Sequence, residues 1–337
     1  MLGFVARRLG LMVLTLAGLV VITFLVSNVA PADPAMLAAG PDATPDMVAT
    51  IRHEYGLDRP LPVQFLRYVA GLAQGRLGRS VVTGHAVTED LAIFLPATLE
   101  LVLLGMALAV GFGMPLGMWA AVRRDRAVDH LARVFAVSGM ALPEFWIGLL
   151  LLLVFSGWLG WLPIGGQLSV ADAPPAPITG MVLVDALLRG QFVLFGAALR
   201  HAILPAVVIS LPALASVVRI NRAEMIEVLQ SDYITAARAH GVAPARIVSV
   251  LALKNAMLPT LAMIGLRFGW MLGSSVLVET VFDWPGIGLY AVNSAASADF
   301  KPVMGTTLVI GVLFMLANLL VDIAYGWLDP RVREAGE

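Results

Sequence analysis

Residues 101–122 read LVLLGMALAVGFGMPLGMWAAV, a stretch without a single Asp, Glu, Lys or Arg. An α-helix needs about 20 apolar residues to cross the roughly 30 Å hydrocarbon core of a bilayer, so this stretch is long enough to span one. Strands of a membrane β-barrel would instead alternate apolar and polar residues over about 10 positions. The stretch therefore predicts a transmembrane α-helix.

The rest of the chain contains five more windows of this kind, one of them interrupted by a single charge, Arg267. They are Leu9–Ala32, Phe145–Ala171, Ala202–Val218, Asn255–Val278 and Pro302–Val321. The first window follows Arg7 and Arg8 as a signal peptide would, but it exceeds the usual apolar region of about 7–15 residues. We therefore expect an all-α polytopic membrane protein with six transmembrane helices, the first of them uncleaved.

The composition also favours a membrane protein. Of the 337 residues, 59% are hydrophobic and 13% are charged, whereas soluble domains average about 45–50% and about 25%. These values argue against a soluble enzyme, a nucleic-acid binder and a disordered chain. The absence of cysteine excludes disulfides, thiolate catalysis and cysteine metal sites. The histidines lack metal-binding spacing and no P-loop is present, so we expect no catalytic, cofactor or metal site in this chain.

The few charges lie asymmetrically along the chain. Thirteen of the 22 Lys and Arg residues lie in segments 1–8, 123–133, 219–254 and 329–337, and eight lie in the longer segments 33–94, 172–201 and 283–301. Because positive charge concentrates in cytoplasmic loops, both termini are predicted to be cytoplasmic. The expected organisation is 1–32 for the N-terminus and first span, 33–94 for an extracytoplasmic helical loop, 95–328 for the remaining spans and 329–337 for a cytoplasmic tail.

Two short helices are expected within the extracytoplasmic loop 33–94. Thr44 is a candidate N-cap and Gly56 a candidate stop, which predicts a helix over 45–55. A second helix is expected over 62–73. We expect these helices to cap the bundle or lie on the membrane, and a docking surface for an external partner is the alternative.

The cytoplasmic segment 219–254 is expected to contain two helices. Asp232 is a candidate N-cap of the first helix, Gly241 its C-terminal stop, and Pro244 suits the first turn of the second. The first helix carries a stripe of small and aromatic residues: Tyr233, Ala236, Ala237 and His240. Such a stripe permits close approach of another surface, although alanine is also a good helix former. The residues alone leave both interpretations open.

Arg267 is the only Asp, Glu, Lys or Arg in the middle of a predicted span. An arginine at this depth costs about 2.5–3.5 kcal/mol on insertion scales, so it is expected to face a cavity or a partner. The alternative is a structural ion pair with Glu279, Glu100 or Asp322. Glu144, like those three acids, lies near a predicted helix end and is expected to mark an interface. Two stripes of small residues predict close helix packing: Gly265, Gly269 and Gly273 opposite Arg267, and Gly113 and Gly117 on the second span.

The run DYITAARAHG at 232–241, followed by Arg246 and KNAMLP at 254–259, resembles the EAA loop of ABC importer permeases of the peptide and nickel branch. Further matching stretches follow in order along the chain: Phe4–Arg8, Tyr55–Pro60, Gly75–Gly78, Leu95–Leu101, Pro143–Trp146, Val278–Phe282, Trp284–Gly286, Asn318–Asp322 and Asp329–Arg331. The resemblance covers essentially the whole chain. Among subfamilies it is similar to the B-type permease of dipeptide importers.

This resemblance implies a type I ABC importer permease fold in the inner membrane of a bacterium, with 219–254 as the cytoplasmic coupling loop and 95–328 as the permease core. The implied partners are a second homologous permease, two cytoplasmic ATPases that bind ATP and Mg, an extracytoplasmic peptide-binding protein and membrane lipid. The implied ATPase-coupling residues are Asp232, Tyr233, Ala236, Ala237, Arg238, Gly241 and Arg246. The translocation-path candidates are Arg267 and Glu279.

The chain departs from the branch pattern at two positions. Thr235 stands at the position of the motif's glutamate, and Arg267 stands where glutamine is more common. A positive charge at 267 could favour the carboxylate of a peptide or alter the substrate class. Nickel, glutathione, haem and oligosaccharides are therefore alternative cargoes.

Two different functional classes compete with a permease subunit. An ion-coupled secondary carrier would use Arg267, Glu279 and Asp322 as a relay, and an intramembrane enzyme would need a converging polar cluster at membrane depth. No inverted repeat supports the carrier, and a single central charge does not support the enzyme.

Overall fold

The computed structural model describes residues 2–29, 34–39, 43–54 and 58–328. The helices in this part of the chain are α1 (Leu2–Val29), α2 (Pro34–Ala39), α3 (Pro45–Glu54), α4 (Leu61–Ala73), α5 (Val87–Val122), α6 (Ala127–Ala141), α7 (Glu144–Leu151), α8 (Val182–Leu188), α9 (Phe192–Leu229), α10 (Asp232–Ala239), α11 (Pro244–Arg246), α12 (Leu253–Val281), α13 (Ile287–Ala296) and α14 (Phe300–Leu328). Two π-helical stretches, Leu152–Trp158 and Ile247–Ala252, continue α7 and join α11 to α12.

Five helical segments are long and apolar enough to cross a membrane: Arg7–Ser27, Val87–Val122, Phe192–Leu229, Pro244–Val281 and Phe300–Ile323. A sixth crossing exists if α6 and Glu144–Trp158, which meet at a 104° bend, count together as one span. The prediction of an all-α polytopic membrane protein is confirmed, with five or six candidate spans according to whether this bent pair counts as one. The cytoplasmic location of the termini stays a prediction. The end of the first predicted span, the stop at Gly56 and the tail 329–337 lie outside the described residues.

The predicted third span, Phe145–Ala171, is wrong in its boundaries. The helical structure ends at Trp158. The rest of the apolar length that a span requires comes from α6, which precedes the bend. Gly160 and Gly166 have positive φ values of 61° and 74°, a conformation that ends a helix. Because neither residue is charged, the charge-free window did not reveal this end. Pro143 lies at the bend, where its missing N–H and ring favour a break.

The core of the bundle is the contact between α5 and α9. Both helices are longer than the charge-free windows predicted, and glycines on α5 let α9 approach closely. A Cβ at Gly113 would lie 2.9 Å from the Val217 side chain, and one at Gly117 would lie 2.9 Å from the Val218 carbonyl. The two glycines therefore lie where the predicted packing stripe requires them.

A buried ion pair joins α6 to the same core. Asp129 is fully buried, and both of its carboxylate oxygens accept hydrogen bonds from the Arg222 guanidinium on α9, the Nη2 bond measuring 2.8 Å. A bidentate arginine–carboxylate pair fixes orientation as well as distance. The pair therefore sets the position of α6 along α9.

The two short helices predicted for segment 33–94 are present, and the segment also contains α2 and the beginning of α5, which were not predicted. The structure has α3 over Pro45–Glu54, with Thr44 Oγ1 accepting a hydrogen bond from the Met47 N–H at 3.4 Å, and α4 begins one residue before the predicted 62. Phe65 and Tyr68 of α4 pack on Phe24 of α1, with ring centroids 5.2 Å and 5.8 Å apart. This contact places α4 against the first span.

Candidate functional site

Helix α10 lies at the end of the bundle where α5 and α9 finish and α12 begins, which we name the α10 end. The chain leaves α9 at Leu229 and enters α10 after two residues, with Ser231 at the N-cap position in place of the predicted Asp232. Asp232 instead occupies the first turn, where its charge complements the helix dipole. The helix stops at Gly241, whose φ of 73° is the left-handed conformation typical of a C-terminal glycine.

One buried side chain and two polar contacts fix α10 to the transmembrane helices. Ile234 is completely buried in a small apolar cluster with Met225 of α9 and Ala256 of α12. The Tyr233 hydroxyl accepts a hydrogen bond from the Asn255 amide at 2.6 Å, and Arg238 donates to the Leu229 carbonyl at 3.3 Å. α10 is therefore attached to the end of α9 and to the beginning of α12.

The opposite side of α10 is available to a partner. Ile234 is the only buried residue of the helix, and Ala237 is half-buried. The other residues of the predicted coupling set are exposed: Asp232, Tyr233, Ala236, Arg238, Gly241 and Arg246. Beside the helix lies a cavity of about 550 Å³, lined by apolar ends of α5 and α9 together with Arg124 and Arg238. Six of the seven predicted coupling residues are thus exposed on an anchored helix or in the residues that follow it.

Arg267 lies within α12 and is partly buried. Its Nε is buried and has no hydrogen-bond partner. The ion pairs considered from the sequence are absent among the described residues. Asp322 pairs with Arg8 at 3.1 Å, and Glu100 accepts hydrogen bonds from the Leu183 N–H at 2.6 Å and the Gln167 amide at 3.1 Å.

Glu279, the third acid considered as a partner of Arg267, is completely buried near the end of α12 that is farther from α10. Its carboxylate accepts hydrogen bonds from the Thr98 hydroxyl at 2.7 Å and from the N–H groups of Gly288 and Leu289 at 2.7 Å and 3.0 Å. Glu279 therefore joins α12, α5 and the first turn of α13, and this geometry gives it a positioning role. Its membership of a translocation path stays a prediction.

Close packing accounts for part of the glycine stripe on α12. A Cβ at Gly265 would lie 2.0 Å from the Val321 side chain, and one at Gly269 would lie 2.2 Å from the Phe314 ring, so both face α14. Gly273 differs from the prediction because no described atom lies within 4 Å of its Cβ position. Gly273 therefore faces open space within this chain.

At the end opposite α10, carboxylates order the connecting loops. Asp185 accepts hydrogen bonds from the N–H groups of Ile178, Thr179 and Gly180 at 2.8–3.0 Å. Burial by itself would raise the pKa of the Asp185 carboxyl. The hydrogen bonds have the larger combined effect and hold the pKa below its usual value. Burial and a hydrogen bond to Asp90 raise the pKa of the Tyr290 phenol. These groups hold the loops in one arrangement.

Sequence reasoning missed the acid that lies near Arg267. Glu144, expected to mark an interface, lies on α7, which packs against α12, and its carboxyl interacts electrostatically with Arg267. Its position immediately after Pro143, at the bend of a span, was the available signal.

Family comparisons agree with this architecture over nearly the whole chain. Residues 1–101 match the N-terminal model of binding-protein-dependent transport system membrane components, and residues 113–334 match the binding-protein-dependent transport system inner membrane component family. The chain belongs to this family. It is a multi-pass permease subunit of an ABC importer in the inner membrane, which confirms the resemblance, and by family it is not an enzyme.

Three relatives illustrate the match. The chain is 46% identical over 325 residues to the probable D,D-dipeptide transport system permease protein of Escherichia coli K12, covering 96% of each chain. It is 42% identical over 335 residues to a di/tripeptide transport system permease protein of Pseudomonas aeruginosa, covering 99% of each. It is 38% identical over 334 residues to a glutathione transport system permease protein of Salmonella typhimurium, again covering 99% of each.

Proposed function

We propose that this permease carries dipeptides or short oligopeptides, pairs with a second homologous permease and is driven by two ATPase subunits. The relatives named for dipeptide and di/tripeptide transport support the cargo. In this proposal an extracytoplasmic binding protein delivers the peptide, and ATP and Mg bind to the ATPases and not to this chain. The permease supplies the pathway and no chemical step.

The observation that carries the coupling proposal is the attachment of α10. A partner that moves its exposed surface pushes on Ile234, Tyr233 and Arg238, whose contacts lie on α9 and α12. Because protein interiors are close-packed and transmit strain, displacement of α10 is passed to these two spans. We therefore assign ATPase coupling to Asp232, Tyr233, Ala236, Ala237, Arg238, Gly241 and Arg246, and we keep Arg267 as a residue of the peptide path.

A Gly241→Asp variant tests this assignment. Gly75 is a matched control because its φ of 72° resembles the 73° of Gly241, and no described atom lies within 4 Å of either Cβ position. We expect Gly241→Asp to insert at normal levels but abolish ATP-dependent peptide uptake, because the new side chain blocks the docking surface. We expect Gly75→Asp to transport normally. Normal uptake by Gly241→Asp, or equal loss in both variants, would contradict the proposal.

The complete assembly provides the second test. The permease is expected to co-purify with a second permease and two ATPases, and ATP hydrolysis is expected to rise when peptide-loaded binding protein is added. Gradient-driven transport by the purified chain alone would instead support a secondary carrier. Glutathione is a second candidate cargo because the glutathione relative matches over the same length, and competition between glutathione and dialanine for uptake distinguishes the two.

A further inference from the structure

Arg267 on α12 and Glu144 on α7 carry opposite charges on two helices that pack against each other. Arg267 Nε and one carboxylate oxygen of Glu144, Oε2, are each buried and have no hydrogen-bond partner. Arg267 interacts electrostatically with Arg219 and with Glu144, and no ion pair within 4.0 Å involves Arg267 or Glu144 in the part of the chain that the structure describes. The site therefore contains an unused donor and an unused acceptor.

Unmade hydrogen bonds at this depth require an explanation. More than about 90% of buried polar groups are hydrogen-bonded, and a charge at the bilayer centre costs about 2.5–3.5 kcal/mol on insertion scales. Arg267 is 14 residues from the end of α12 at Val281, which is about 21 Å along a helix at about 1.5 Å per residue. A purely structural role would favour direct pairing, so the separation indicates that a ligand completes the bonds.

The surroundings leave room for a small ligand. Trp146 and Trp270, each within three residues of one of the charges, are 46% and 63% exposed. α7 and α12, which carry the two charges, pack against each other. The charges therefore border an open surface with aromatic side chains.

We propose that Arg267 and Glu144 bind the two charged ends of a zwitterionic peptide during its passage, a proposal that rests on the peptide-import function above. The planar Arg267 guanidinium suits the α-carboxylate because it can form two parallel hydrogen bonds. The Glu144 carboxylate accepts hydrogen bonds from the α-ammonium. Since every unmodified peptide carries both groups, the site accepts many side-chain sequences while rejecting peptides with blocked ends.

Cysteine labelling tests whether cargo passes this site. The chain contains no cysteine, so a Trp270→Cys variant in the assembled importer can be labelled singly with a water-soluble methanethiosulfonate. Leu14→Cys on α1 is the control, since Leu14 is 71% exposed and Trp270 is 63% exposed. We expect dialanine delivered during ATP turnover to slow labelling of Trp270→Cys several-fold and to leave Leu14→Cys unchanged.

Three labelling outcomes would overturn the proposal: no protection by cargo, equal protection of both variants, or no reaction of Trp270→Cys with the water-soluble reagent. Failure of dialanine to stimulate ATP hydrolysis in the wild-type assembly would instead contradict the peptide-import function itself. The two failures are therefore distinguishable.

Charge variants test the roles of the two side chains. Arg267→Gln and Glu144→Gln are each expected to raise the KM for dialanine several-fold at unchanged membrane abundance, and Arg267→Lys is expected to restore part of the loss. The exchanged double variant, Arg267→Glu with Glu144→Arg, separates recognition from a structural pair. We expect it to remain impaired because each end of the peptide then meets a like charge if its orientation is kept. Full recovery of uptake would show a structural ion pair and overturn the proposal.

Discussion

At the scale of single residues, glycines decide how closely the helices of this permease approach. The Val321 side chain of α14 fills the space beside Gly265 on α12. In contrast, no described atom lies within 4 Å of the Cβ position of Gly273 on the same helix. The two positions have the same residue type and the same secondary structure. The same substitution at these two positions therefore distinguishes the effect of packing on stability from the effect of helix propensity.

Gly265→Ala is expected to destabilise the protein, and Gly273→Ala is expected to leave it unchanged or slightly more stable. Alanine stabilises a helix interior by about 0.5–1 kcal/mol relative to glycine, but overpacking costs about 1–3 kcal/mol. The β-branched Val321 has little rotamer freedom to relieve a 2.0 Å contact. Thermal unfolding in detergent measures the difference, and equal unfolding temperatures for the two variants would contradict it.

The sequence revealed Arg267 as an unusual charge but not what lies around it. Insertion energetics depend on the residue and its depth, so its isolation could be predicted from the charge-free window alone. Its relation to Glu144 depends on the 104° bend between α6 and α7. A bend brings together residues whose separation along the chain carries no periodic signal, so that contact was not predictable.

At the scale of helices, the Asp129–Arg222 pair shows how a polar contact positions a bent span. α6 has a mostly exposed surface and few buried residues, so apolar packing alone fixes it weakly. The bidentate pair supplies a defined register against α9. The position of the bend that carries Glu144 therefore depends on a contact at the other end of α6.

Asp129→Asn is expected to destabilise the permease by about 3–5 kcal/mol, because it leaves the Arg222 charge without its counterion in a buried pair. Arg133→Gln is the control. Arg133 approaches Asp129 only at 3.7 Å and its side chain is 46% exposed, so its removal is expected to cost about 0–1 kcal/mol. Thermal unfolding measures both variants, and equal effects would contradict the assigned role of Arg222.

The boundaries of the long helices were less predictable than their existence. Charge-free windows placed α5 and α9 correctly but made both too short, because a window ends where charged residues begin even if the helix continues. In the structure, Glu100 is satisfied by the Leu183 N–H, and Asn221 donates to the Met114 carbonyl at 2.8 Å. Polar residues with partners on other elements can continue a helix, and those partners are invisible in a local window.

At the scale of the whole molecule, the charge asymmetry predicts that the α10 end faces the cytoplasm. Gly75 and Gly241 lie at opposite ends of the bundle, and both are exposed. Since the chain lacks cysteine, Gly75→Cys is expected to react with an impermeant maleimide in intact cells. Gly241→Cys is expected to react only after the membrane is permeabilised. The reverse pattern would contradict the predicted orientation.

The Glu279 contacts have a consequence for the synthesis of the protein. They join Thr98 of α5 to residues that follow it by 181 positions or more, and the Trp284 indole donates to the Ala97 carbonyl in the same place. A ribosome makes these partners long after α5 has entered the membrane. A truncated chain that ends before α13 therefore leaves the Glu279 carboxylate without its backbone donors. A chain that stops there therefore has a buried carboxylate with fewer hydrogen bonds than the complete protein gives it.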